Sequence, residues 1–97
     1  MKLLTYHPAA SEEIDEAYNW YAVRSAQAAD GFYEELFPAV NKVREQPGLF
    51  PACLHGTQRA VLHRYPFFIV YRELLREIQI IAVAHAKRRP GYWAKRI

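Results

Sequence analysis

Apolar positions recur along the chain with two different periods. Ile14, Ala17, Tyr18 and Tyr21 fall at i, i+3, i+4 and i+7, the spacing that lines one face of a helix, while Glu12, Glu13, Asp15, Glu16 and Asn19 take mostly the other side. Pro8 suits the first helical turn, where its missing N–H is no loss, and Ser11 ahead of Glu12 and Glu13 offers a cap that complements the helix dipole. A second helical pattern runs from about Ala26 to Gln46, with Ala29, Phe32, Leu36, Val40 and Val43 on one face. Pro38 lies inside it. An interior proline costs a helix about 3 kcal/mol, so a kink or break is expected near Glu34 to Phe37. The short link from Arg24 to Gln27 makes the two helices antiparallel neighbours, and Gln46-Pro47-Gly48 ends the hairpin.

Around the helices the period shortens to two. Leu3 to His7 reads as a first strand, whereas Leu49 to Gln58, with Pro51 and Gly56 and no period, reads as loop. Three strand-like runs follow: Arg59 to Arg64, Phe67 to Arg72 after a turn at Tyr65-Pro66, and Glu77 to His85. The last is apolar on both faces from Ile80 to Ala84, as a central strand would be. Glu73 to Arg76 is then a hairpin turn without the usual Gly, Asn or Asp, and Leu74 and Leu75 exposed there would mark a contact. Strand alternation assigns Arg64 and Arg72 to the face of Phe68, with Ile69 and Tyr71 on the opposite face. The order is strand, helix, helix, three strands, then a basic segment from Lys87 to Ile97.

Composition narrows the class. Ninety-seven residues, 52% hydrophobic and 24% charged, suit one globular domain over residues 1–97 and no disordered or repetitive polymer. A single cysteine, Cys53, forms no internal disulfide and points to a reducing cytoplasm. Ile80 to Ala84 and Pro66 to Tyr71 are too short to span a bilayer, so a soluble, cytoplasmic protein without a membrane partner is expected. The net charge of +3 hides an asymmetry: up to Leu36 there are two basic residues against seven acidic, and from Phe37 onward eleven against three. A basic half carrying aromatics suggests an anionic partner, a nucleic acid or an acidic polypeptide; a solvated face is the plainer reading.

Candidate chemistry concentrates after the last strand, in His85-Ala86-Lys87-Arg88-Arg89-Pro90-Gly91-Tyr92-Trp93-Ala94-Lys95-Arg96. Arginine and lysine bind phosphates, and Tyr92 and Trp93 can stack on bases or fill a partner's pocket; alternatively the two aromatics fold back on the core. A metal-free ribonuclease needs a base, an acid and cations for the strained phosphate, and His85, Lys87, Arg88 and Tyr92 are the candidates for that set. The simpler role for His85 is a polar residue closing a strand. Four histidines and Cys53 lack ligand spacing, so no metal and no cofactor are expected, and Cys53 reads as an inert thiol. No Gly-rich phosphate loop or GxSxG elbow is present.

Arg-Tyr-Pro-Phe-Phe-Ile-Val-Tyr-Arg (64 to 72), Ile-Gln-Ile-Ile-Ala-Val-Ala-His (78 to 85) and Arg-Arg-Pro-Gly-Tyr-Trp (88 to 93), in this order, closely resemble the RelE/ParE superfamily of type II toxin–antitoxin toxins. His7-Pro8-Ala9-Ala10 leading to Asn19-Trp20-Tyr21 fits the family's first strand and helix, so the resemblance spans almost the whole chain. It implies an α+β fold, an N-terminal strand and helical hairpin packed on a small twisted antiparallel sheet. It also implies a growth-arresting toxin of the plasmid-stabilisation kind, held by a co-expressed antitoxin in a higher-order hetero-oligomer. RelE-like members cleave mRNA on the ribosome with basic residues and a C-terminal tyrosine or histidine; ParE-like members inhibit DNA gyrase and lack that basic set. Here Phe68 and Ala86 stand where the ribonuclease branch carries arginines, with Lys87 one position away, while Tyr92 matches the tyrosine. The ParE-like reading is therefore favoured. Its target-binding candidates are Arg64, Arg72, His85, Lys87, Arg88, Arg89, Tyr92, Trp93 and Arg96, with a ribonuclease and a non-toxic interaction module of the same fold as alternatives.

Overall fold

A computed structural model describes residues 1–97. The chain forms β1 (Leu3–Tyr6), α1 (Pro8–Ala22), α2 (Ala26–Glu45), β2 (Gln58–Val61), β3 (Phe67–Glu73) and β4 (Glu77–His85), with short 3-10 turns at Pro47–Leu49, Leu54–Gly56 and Ala94–Arg96. The sheet order is β1-β4-β3-β2, which places β4 in the interior, as its two apolar faces require. The α+β class and the helical hairpin are as expected, but the sheet is mixed: β1 lies parallel to β4, and the other two pairings are antiparallel. A parallel pair needs a long crossover, and the helical hairpin supplies part of it.

Four local expectations change. The N-cap of α1 is His7, whose Nδ1 accepts from the Ala9 N–H at 3.1 Å; Ser11 lies inside the helix. Helix α2, capped by Ser25, runs unbroken through Pro38. The proline sits on the exposed side while Leu36, Val40 and Val43 are buried, and each such side chain contributes about 1.5–3 kcal/mol, enough to offset one lost hydrogen bond. Strand β2 stops at Val61 because the next free N–H groups find another acceptor: the Glu35 carboxylate on α2 accepts from His63 at 2.7 Å and from Arg64 at 3.0 Å. The region read as plain loop, Leu49 to Gln58, contains the 3-10 turn Leu54–Gly56 and a bridge from Ala52 to Gln58.

The helices cover one face of the sheet. Ile14, Phe32, Leu36, Val43, Ile69, Tyr71, Ile78, Ile80 and Val83 form the main core there. On the opposite face Val70, Ile81 and Ala82 meet Trp93 in a second, smaller cluster. A register shift between Val70 and Tyr71 leaves Ile81 without a partner on β3, and at this irregularity the consecutive Ile81 and Ala82 both join the second cluster while Ile80 and Val83 join the main core. No helix is long and apolar enough to cross a membrane. Leu75, in the β3–β4 turn, is 86% exposed, as its sequence context suggested, while Leu74 is half-buried.

Candidate functional site

The segment after β4 is not a solvated tail. Arg88 N–H returns to His85 C=O at 3.0 Å, Tyr92 N–H to Arg89 C=O at 3.2 Å, and Ala94 N–H to Gly91 C=O at 2.9 Å. These turns carry the chain back across the face that the helices leave open. Gly91 makes the reversal possible, with φ +74° in the left-handed region, and a Cβ there would stand 3.4 Å from His55 Nε2. Trp93 is then only 1% exposed, its ring meeting His55 edge-on at 5.7 Å.

Glu13 locks this segment to α1. Its Oε2 accepts from the Tyr92 hydroxyl at 2.6 Å, and Arg96 donates to both carboxylate oxygens at 3.0 Å. Glu13 Oε1 also accepts from Val83 N–H at 3.0 Å, and Arg96 Nη1 donates to Ile81 C=O at 3.1 Å. Strand β1 pairs with β4 only as far as Tyr6 opposite Ile80. Beyond that point the Glu13–Arg96 ion pair takes the place of the missing strand, giving β4 an acceptor and a donor along its open edge. The pair is largely shielded, with side chains 12% and 17% exposed. The bond to Glu13 is also the main reason the Arg96 pKa is raised.

Tyr92 and Arg88 form a wall with a cavity on each side. Arg88 lies over the Tyr92 ring, its Cζ 3.8 Å from the centroid. On one side a cleft of about 390 Å³ opens between α1 and the end of the sheet, lined by Glu13, Glu16, Trp20, Phe67 and His85 among others. On the other a smaller hollow of about 160 Å³ is lined by Arg59, Phe68, Arg88, Arg89, Tyr92 and Trp93, with no carboxylate. Arg59 lies over Phe68, 5.2 Å from its centroid.

Proton-transfer chemistry is constrained at both candidate groups. Burial, followed by the bond to the Glu13 carboxylate, raises the Tyr92 pKa well above the ordinary phenol, so the hydroxyl keeps its proton and points it at Glu13. His85 Nδ1 accepts the Lys87 N–H, 3.0 Å away, so that nitrogen is engaged by the backbone of the following turn.

The remaining sequence candidates divide. His85, Arg88 and Tyr92 converge on the larger cleft, and Arg88, Arg89, Tyr92 and Trp93 border the smaller hollow. Trp93 borders it as a buried floor and Arg96 is committed to Glu13, so these two are structural supports. Lys87 is exposed and borders neither cavity. Arg64 does not share the Phe68 face: it lies beyond β2, over Tyr65 and near Gly31 of α2. Arg72 bonds Gln79 at 2.8 Å, five residues along β3 from Phe67 and thus about 17 Å away, so the two arginines do not meet. Glu13, read from the sequence only as a residue of the first helical turn, is the side chain that ties the candidate segment to α1. Glu13 carried a signal, since it falls three residues after buried Ala10 and four before buried Ala17, on the edge of the inward stripe.

A family model described as the ParE toxin of type II toxin-antitoxin systems, parDE, matches residues 4–90. Toxin ParE2 of Mycobacterium tuberculosis is 25% identical over 89 residues, 91% of this chain and 85% of its own length. A solved chain of the chromosomal ParDE TA system from P. aeruginosa superposes with a TM-score of 0.76, covering 90% of this chain and 98% of that one at 23% identity, a likeness of fold.

Proposed function

Because the chain belongs to the ParE toxin family of type II toxin–antitoxin systems, we propose that it arrests growth by inhibiting DNA gyrase in the cytoplasm until a cognate antitoxin binds it. The observation that carries this over a ribonuclease reading is the commitment of both candidate proton carriers. The Tyr92 hydroxyl donates its hydrogen bond to Glu13, and His85 Nδ1 accepts from Lys87 N–H. Arg64 and Arg72 also stand apart from them, so a phosphate bound beside His85 would meet neither cation. A rigid surface presenting Arg88 and Arg89 suits binding without bond cleavage. Antitoxin pairing is supported by the ParDE toxin–antitoxin system of P. aeruginosa, from which the superposed chain comes and whose fold this chain shares.

The test is supercoiling of relaxed plasmid by purified gyrase, with toxin freed from its antitoxin. Inhibition that antitoxin reverses is expected, and full supercoiling in the presence of excess folded toxin would sink the proposal. The double variant Arg88→Ala/Arg89→Ala should lose growth arrest while retaining fold and antitoxin binding; undiminished arrest would place the target surface elsewhere.

A further inference from the structure

Five of the thirteen lysines and arginines are engaged by oxygens of the protein, and the arginines of the smaller hollow are not among them. Lys2 and Arg96 are in ion pairs, and Arg24, Arg44 and Arg72 donate to fixed oxygens. Arg59, Arg88 and Arg89 have no such acceptor, yet all three border one hollow that no acidic side chain enters. Two of them are held from behind by aromatic faces, Arg59 by Phe68 and Arg88 by Tyr92. The floor is rigid, made by buried Trp93 and by the Pro90-Gly91 turn packed against Leu54 and His55. Converging guanidinium forks with unused donors are complementary to a tetrahedral phosphate, which each can grip through two N–H groups.

We propose that this hollow binds a phosphodiester of a nucleic-acid backbone, Arg59 and Arg89 gripping it beside Arg88, and that it does so without cutting the strand. Stacking fixes the Arg59 and Arg88 guanidiniums before the ligand arrives, so less side-chain freedom is lost on binding. Residues bordering the hollow bring no histidine and no carboxylate to it, and its one hydroxyl, on Tyr92, is held by Glu13, so apart from the half-buried Cys53 thiol the site offers charge and shape without a group to move a proton. Inhibition of gyrase does not require this ligand, and its binding is tested in the absence of gyrase.

The experiment titrates the full-length toxin into a fluorescein-labelled single-stranded oligodeoxythymidine and its RNA counterpart across a range of salt concentrations. Each lost phosphate contact lowers the slope of log K against log salt by about 0.7 on single strands. Arg59→Ala and Arg89→Ala should each lower it by that amount and weaken binding about tenfold, whereas Arg76→Ala, an equal loss of charge in the β3–β4 turn, should leave the slope unchanged. Arg59→Lys keeps the charge but not the fork, and an intermediate loss is expected. Absence of binding by the wild type, or equal effects of Arg59→Ala and Arg76→Ala, would overturn the proposal. Cleavage of the RNA probe would overturn its non-cleaving character.

Discussion

The two faces of the sheet are closed by different means. On the helix side, fourteen buried residues form one continuous core, seven of them contributed by α1 and α2. The far side has four, and three of them belong to the sheet itself; Trp93 is the only fully buried cover contributed from outside it, with Cys53 and Tyr92 packed half-buried beside it. Where the near face relies on area, the far face relies on one large ring and on the Glu13 carboxylate with its four hydrogen bonds. A thinly covered face leaves polar side chains free at its margin, and that is where Arg59, Arg88 and Arg89 gather.

Removing the single cover should have the largest effect. Trp93→Ala is expected to cost about 3–5 kcal/mol in denaturant unfolding, more than truncating any one near-face valine; a loss below about 1 kcal/mol would mean that the far face is held by something else. Glu13→Ala should cost about 3 kcal/mol, since it strands Arg96 and frees the Val83 N–H together. Its thermal melt, compared with that of Arg96→Met, separates the charge from the edge: if the two are equally destabilised, the open β4 edge contributes nothing of its own.

Alkaline titration probes both faces at once. Tyr71, buried on the near face, has its pKa pushed up to about 12, by burial first and by the charge of Glu73 second, and Tyr92 on the far face is raised too. A raised tyrosine pKa favours the protonated folded state, so this contribution is complete below pH 10 and is lost as pH climbs toward 12. Tyr71 alone accounts for on the order of 2–3 kcal/mol of that decline. Tyr71→Phe should flatten the curve in that window, and an unaltered slope would contradict the assignment. The smallest effect is expected of Tyr92→Phe, about 1.5 kcal/mol, because the ring under Arg88 is retained and only the bond to Glu13 is lost.

Much of the near face was legible in the sequence. Strand β4 fell within Glu77 to His85 because nine consecutive residues with β-branched side chains on both faces admit little else. The inward stripes of α1 and α2 followed from their spacing. What escaped the pattern depended on partners distant in the chain. The early end of β2 is set by Glu35, 28 residues before His63, and the parallel placement of β1 by a pairing more than seventy residues long. The site was half legible: its basic, aromatic composition marked the segment, but only the fold separates Arg88 and Arg89, which face a cavity, from Trp93 and Arg96, which support it.

The bond between Glu13 and Arg96 joins residues 83 positions apart. During synthesis the chain emerges from its N-terminus, so α1 and the first strand are available long before their final partner. The edge of β4 cannot be closed, nor Tyr92 fixed beneath Arg88, until Arg96 has left the ribosome. Order along the message thereby becomes order of assembly: the segment proposed to meet the target takes shape only after the helices and strands it closes.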